Sequence, residues 1–289
     1  MDSVDEATTR GQFVLVATPL GNLGDVSRRA LELLERADVV YCEDTRRSST
    51  LFSAHGIAVR KRLRALHEHN EAALCDEIVE RVARGEVVVL ISDAGTPGIS
   101  DPGSRVVAAL AEAGLVVTTA PGPAAVIAAL TISGLSTERF VMEGFLPRKA
   151  GEREAFYTQW EREPRTIVFY ESPQRLATTL AEMATRFADR RVAVAREITK
   201  IHEEVLRGTV PEVASIVAAR EVLGEVVVVL EGAKEIETVD EMSVRVALAE
   251  QLDHGASVRD AVQHVEQLLG SAHRTTYLIA LELRAGRAS

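Results

Sequence analysis

The chain has 289 residues, 46% of them hydrophobic and 26% charged, a balance that fits a folded soluble protein with room for two domains and excludes a disordered or fibrous chain. A formal net charge of −10 excludes nucleic-acid binding by the surface as a whole, and no apolar run is long enough to span a membrane. With only Cys42 and Cys75 there is no disulfide framework and no thiolate metal site, which points to a reducing cytoplasm.

In chain order, the polar, acidic residues 1–11 read as a flexible tail. FVLVAT at 13–18 is a first strand, and Asp25 or Ser27 caps the amphipathic helix RRALELLERA after it. Residues 39–43 form a second strand, Asn70 caps a helix running to Arg84, and 87–91 is a buried strand. Asp101, Pro102 and Gly103 start a helix ending near Gly114, residues 116–120 are a strand, and AAVIAALTISG is a small apolar helix. The pattern then restarts, with strands at 140–145, 166–170, 191–196 and 225–230 and helices near 150–160, 174–187 and 211–220. EEVLRGT at 203–209 is a candidate extra β-ribbon. This alternation predicts βαβ units around mainly parallel sheets. The boundaries are an N-terminal α/β domain over 12–122, a second over 123–233, and a linker with short amphipathic helices over 234–289.

Three loops follow strands of the first domain. TPLGNLGD at 18–25 contains glycine but matches neither the G-x-G-x-x-G nor the G-K-[ST] phosphate fingerprint. SDAGTPGISDPG at 92–103 combines three glycines and two prolines with two aspartates, and has no lysine or arginine. A phosphate site would add a cation to its backbone donors, so this lining suits hydroxyls, amines or a positive charge. S-adenosylmethionine carries all three. PGPAA at 121–125 is the third loop, and ligands of open α/β sheets gather where such strand-end loops converge.

Charged segments are the other candidates. Glu43-Asp44-Thr45-Arg46-Arg47 follows the second strand, either lining a substrate mouth or starting a helix. Arg60-Lys61-Arg62 with Arg64 is a local basic cluster, and Arg148-Lys149 with Arg153 is another; either is a phosphate-binding patch or a solvated face. His67-Glu68-His69 has no third ligand, so no metal is expected. YESP at 170–173 and REITK at 196–200 close strands of the second domain and face the first if the two sheets share a cleft.

Taken together, VATPLGNLGDVSRRALELLERADVVYCEDTRRSSTL, LISDAGTPGISDPGSRVV, APGPAAVIAALTISGL, ERFVMEGFLPRK, RTIVFYESPQRL and AREITKIHEEVLRG resemble the ribosomal RNA small subunit methyltransferase I family of the tetrapyrrole methylase superfamily. The resemblance implies two consecutive α/β domains with S-adenosylmethionine in the cleft between them, a small C-terminal helical module, and a homodimer. It also implies 2′-O-methylation of a cytidine in 16S rRNA, cytidine 1402 of the decoding region, on the small ribosomal subunit. By position, Pro19, Gly21, Asp93, Ala94, Gly95, Thr96, Ile99, Pro121, Ala124, Ala125, Tyr170 and Glu171 fall to the cofactor. Thr96 stands where the superfamily has an aspartate, Ala124 and Ala125 lack its hydroxyl, and Glu171 replaces a methionine. Ala272-His273-Arg274 stands where relatives have a lysine pair.

A 2′-hydroxyl is weakly acidic, and Asp44, Glu171, Glu197 and Lys200 are the candidate bases at strand ends. Arg46, Arg47, Arg60, Lys61, Arg62, Arg64, Arg148 and Lys149 are the candidate RNA contacts. The rival readings are methylation of a tetrapyrrole ring and a non-catalytic ribosome-binding protein.

Overall fold

A computed structural model describes residues 11–58, 63–234, 241–271 and 273–287. The chain divides into two compact units, Met1–Ala233 and Lys234–Ser289. The first unit holds two five-stranded sheets.

The first sheet contains β1 (Gln12–Val16), β2 (Val39–Cys42), β3 (Leu63–Ala65), β4 (Val87–Ile91) and β5 (Val116–Ala120), in the order β3-β2-β4-β1-β5. Every pairing is parallel. Parallel neighbours need a crossover, and α1 (Arg28–Arg36), α2 (Thr45–Ala54), α3 (Glu71–Ala83) and α4 (Ser104–Glu112) provide it. These helices cover both faces, so the central strands are apolar throughout rather than alternating. Val14 and Val16 of β1 pack with Ala30, Leu34 and Phe52 on one side. Phe13 and Leu15 pack with Ile78, Val82, Val106 and Leu110 on the other.

The second sheet contains β6 (Phe140–Phe145), β7 (Thr166–Glu171), β8 (Arg191–Arg196), β9 (Glu204–Thr209) and β10 (Val226–Leu230), in the order β6-β7-β10-β8-β9. Here the expectation of mainly parallel strands is corrected. Only β6 and β7 run parallel, whereas β10 is antiparallel to both β7 and β8, and β8 to β9. Burial on both faces makes a strand apolar whichever way its neighbours run, so composition did not report direction. In β10, Val226, Val228 and Leu230 pack towards α7 (Pro173–Ala184) and α8 (Val210–Ala218), and also meet Tyr157 and Trp160 of α6 (Ala150–Trp160). Val227 and Val229 pack against α5 (Ala125–Ser133).

Local chemistry sets the helix starts. Ser27, not Asp25, caps α1 by accepting from the Ala30 N–H at 3.1 Å, while Asp25 ends a short 3-10 turn. Thr209 and Glu212 form a reciprocal capping box at α8. The ribbon expected at 203–209 is β9. Strand β3 was missed because its three residues adjoin the basic cluster.

The second unit comprises α9 (Glu241–Asp253), α10 (Val258–Leu269) and α11 (His273–Arg287). Its own core contains Val244, Leu248, Val262, Val265, Ile279 and Ala280. Among the described residues, no helix is long and apolar enough to cross a membrane.

Candidate functional site

The carboxyl ends of β1, β2, β4 and β5 carry the loops that parallel topology places on one edge of the first sheet. Hydrogen bonds stitch these loops together. The Thr18 N–H donates to the Gly95 carbonyl at 2.8 Å and the Gly95 N–H to the Thr18 carbonyl at 3.0 Å. Thr18 Oγ1 donates to the Ser92 carbonyl, and Thr96 Oγ1 to the Pro123 carbonyl at 3.0 Å, which fastens the third loop. Gly95 has φ of +85°, and a Cβ there would sit 3.2 Å from Leu20 Cδ2, so both backbone shape and space favour glycine.

These loops form one wall of a pocket of about 470 Å³. The other wall comes from the second sheet, through Phe145, the ends of β7 and β8 and the start of β10. Five acidic residues line it: Glu43, Asp93 and Asp101 from the loops of the first sheet, and Glu171 and Glu225 from the second. Arg47 is the one cation among the described lining residues, and its Nη1 lies 3.4 Å from Asp93 Oδ2. The other oxygen of Asp93 accepts from the Asp44 N–H at 3.0 Å, tying the loops after β2 and β4 together. Burial, reinforced by Asp93, raises the pKa of Glu43. Burial likewise pushes Asp101 up to about 6, with the Glu43 carboxylate adding and a Ser92 hydrogen bond opposing. Tyr170 is raised to about 12 by burial and then by Asp101. The expected role of Asp101 at the helix start is corrected: α4 has Gly103 as N-cap, and Glu71 of α3 supplies the acceptor.

Comparison with known proteins identifies the fold's lineage. The family model "Tetrapyrrole (Corrin/Porphyrin) Methylases" matches residues 12–214. Over 229 residues the chain is 47% identical to ribosomal RNA small subunit methyltransferase I of Xylella fastidiosa, covering 78% of this chain and 83% of that protein. Over 257 residues it is 45% identical to the protein of that name from Mycobacterium tuberculosis, covering 88% and 89%.

The chain belongs to the ribosomal RNA small subunit methyltransferase I family.

A crystal structure of diphthine synthase, 17% identical, superposes with a TM-score of 0.58 over 76% of this chain and 89% of that one, a likeness of fold alone.

In this methyltransferase I family member, Asp93, Ala94, Gly95, Thr96, Ile99, Ala124, Ala125, Tyr170 and Glu171 line the pocket. Pro19, Gly21 and Pro121 are not among its lining residues. At Gly21 an added Cβ would lie 2.2 Å from Lys200 Cγ, so this glycine makes room for a side chain of the second sheet's edge.

The four candidate bases lie in different settings. The Glu171 side chain is fully enclosed, accepting from Thr179 Oγ1 at 2.7 Å and from the Ser172 N–H at 2.8 Å, with Arg175 at 3.4 Å. Asp44 caps α2 by accepting from the Arg46 N–H. Glu197 and Lys200 pair at 2.8 Å, and Lys200 Nζ also reaches Glu225 at 3.2 Å. Hydrogen bonding from Lys200 holds the Glu197 carboxyl below its usual range. Asp44, Glu197 and Lys200 do not line the pocket.

Of the candidate RNA contacts, Arg47 lines the pocket and Arg46 is 94% exposed beside it. Arg64, Arg148 and Lys149 are exposed. Arg60, Lys61 and Arg62 lie outside the described residues. Arg153, grouped with Arg148 and Lys149, is instead buried on Glu182 at 2.6 Å, whose carboxylate also accepts from the Tyr157 hydroxyl. Among the described residues no group of three or more His, Cys, Asp or Glu could hold a metal. Sequence reasoning passed over Asp101 as a pocket group and Phe145 altogether; their only signals were an acidic loop and a phenylalanine closing a strand.

Proposed function

We propose that this pocket binds S-adenosylmethionine and that the protein methylates the ribose 2′-oxygen of a cytidine in 16S rRNA, cytidine 1402 of the decoding region. What carries the reading is the pocket's lining: five acidic residues, with Glu43, Asp93 and Asp101 on the strand-end edge of a methylase-family sheet, against one arginine that is already paired. Glu43, Asp93 and Asp101 suit the cofactor's ammonium and sulfonium. Leu20, Val126, Ile198 and Val227 offer an apolar surface for its adenine. The names of the curated relatives support small-subunit rRNA as the substrate.

When bound, the cofactor supplies a methyl group on a sulfonium, an already activated donor. The protein's part is then positioning and proton transfer. Asp101 takes the proton of the 2′-hydroxyl, because its carboxyl borders the pocket and its pKa of about 6 lies near working pH. Arg46 and Arg47 hold a flanking phosphate. The same reading makes the protein a cytoplasmic homodimer.

The test is transfer of labelled methyl to small ribosomal subunits, followed by mapping of the modified nucleotide. Label on a cytidine 2′-oxygen is the expected result. Label on tetrapyrrole precursors and none on RNA overturns the reading, as does an absence of binding to S-adenosylhomocysteine in calorimetry.

A further inference from the structure

We propose that Phe145, backed by Tyr170, is the platform on which the target nucleobase stacks once it has left its helix. This inference rests on the rRNA reading above and assigns a residue to the part of the substrate which that reading leaves unplaced.

Phe145 is 60% exposed, yet it lines the pocket, and its ring centroid lies 5.2 Å from that of Tyr170 with the rings tilted by 38°. The strand is deformed to bring it there. In regular register Met142 pairs with Val168, so three residues on Phe145 would meet Glu171; it meets Tyr170 instead. Gly144, at φ of +68°, lies within that shift. A slip of one residue moves a side chain to the opposite face of a strand. Without the bulge Phe145 would share a face with Val141, which packs into the core among α6–α8. With it, Phe145 joins the face of Met142 and Tyr170, towards α5 and the pocket.

The chain beyond Phe145 is held still. Arg175 donates to the Leu146 carbonyl at 3.1 Å and the Pro147 carbonyl at 2.8 Å. Arg153 donates to the Arg148 carbonyl at 2.7 Å and is itself locked in a two-point pair with Glu182. Two arginines therefore spend their donors on three consecutive carbonyls, and the segment they fix presents an aromatic ring at the pocket mouth and the exposed cations Arg148 and Lys149 beside it. A ring that accepts any base by its π-face, next to cations for the backbone, is the chemistry of a single-stranded nucleotide. A ribose inside a pocket of about 470 Å³ requires its base to be unstacked from neighbours, and the ring offers a replacement stack.

The experiment uses the full-length protein, labelled S-adenosylmethionine and small ribosomal subunits. Phe145→Ala is expected to raise KM for subunits by about 5- to 150-fold, the usual range for losing one base–aromatic stack. Phe145→Trp is expected to restore KM to within about threefold of wild type, and the new indole's emission to fall when subunits bind. An unchanged KM in Phe145→Ala, alongside active wild type, overturns the platform and leaves the rRNA reading intact. So does an equal loss of S-adenosylhomocysteine affinity, which would assign the ring to the cofactor's adenine, or a dimer-to-monomer change in sedimentation, which would assign it to a second copy of the chain. Wild-type protein that transfers no methyl to subunits overturns both readings.

Discussion

Asp101 shows how a single carboxyl records the cost of building the pocket. Burial and the neighbouring Glu43 and Asp93 raise its pKa from 3.8 to about 6, so the native state binds its proton more tightly than the unfolded chain does. The sign follows: the proton stabilises the native state below about pH 4, and that stabilisation is lost as pH rises through 6. Asp101→Asn removes the charge while keeping the shape. Its melting temperature is expected to exceed that of wild type at pH 7–8, with the gap closing near pH 4; a pH-independent difference in calorimetric scans would contradict this. Methyl transfer by the same variant should fall by about 10²- to 10⁴-fold if Asp101 is the base. The acidity of the 92–103 loop was legible in sequence. That Glu43, from a different strand end, faces the same pocket was not, because only the parallel order of β2 and β4 brings them together.

Between elements, the junction of α3 and α4 depends on one buried carboxylate. Glu71 Oε1 accepts from the backbone N–H of Gly103 at 3.0 Å and Arg105 at 2.9 Å, and less closely from Val106 at 3.4 Å. A helix start leaves such donors unsatisfied, and a negative charge there also meets the favourable end of the helix dipole. Gly103 itself offers no side chain, and at φ of +135° a Cβ would lie 2.7 Å from Leu90 Cδ2. Glu71→Ala strands buried donors at this start and is expected to destabilise the protein by about 2–3 kcal/mol in urea titration. A loss under about 0.5 kcal/mol would show that water replaces the carboxylate. Sequence spacing suggested Asp101 to Gly103 as the start of this helix. The acceptor comes from a residue 32 positions away, which no local capping pattern contains.

For the whole molecule, the clusters of buried side chains respect the division into two units. Those of the two sheets draw on residues up to Leu230, and that of α9–α11 draws on Val244 and beyond. Each unit thus has the apolar core that independent folding requires. A fragment ending at Ala233 is expected to melt cooperatively and bind S-adenosylhomocysteine within about threefold of the full chain, checked by calorimetry. Loss of cooperative melting would mean that α9–α11 complete the first unit.

Periodicity and turn chemistry by themselves determined where most strands and helices lie, because burial on one or both faces is written into the spacing of apolar residues. The strand-end loops and their lack of phosphate-binding cations were equally readable, and the quoted segments carried the family. Tertiary structure alone decided what those residues do for one another. It reversed strands in the second sheet, since an antiparallel neighbour and a parallel one bury the same valines. It tied up the Glu171 carboxylate with Thr179 and Arg175, and it brought Asp101 to the same pocket. It also turned Phe145 outwards through one extra residue in β6, because the face a side chain occupies depends on register with its partner strand.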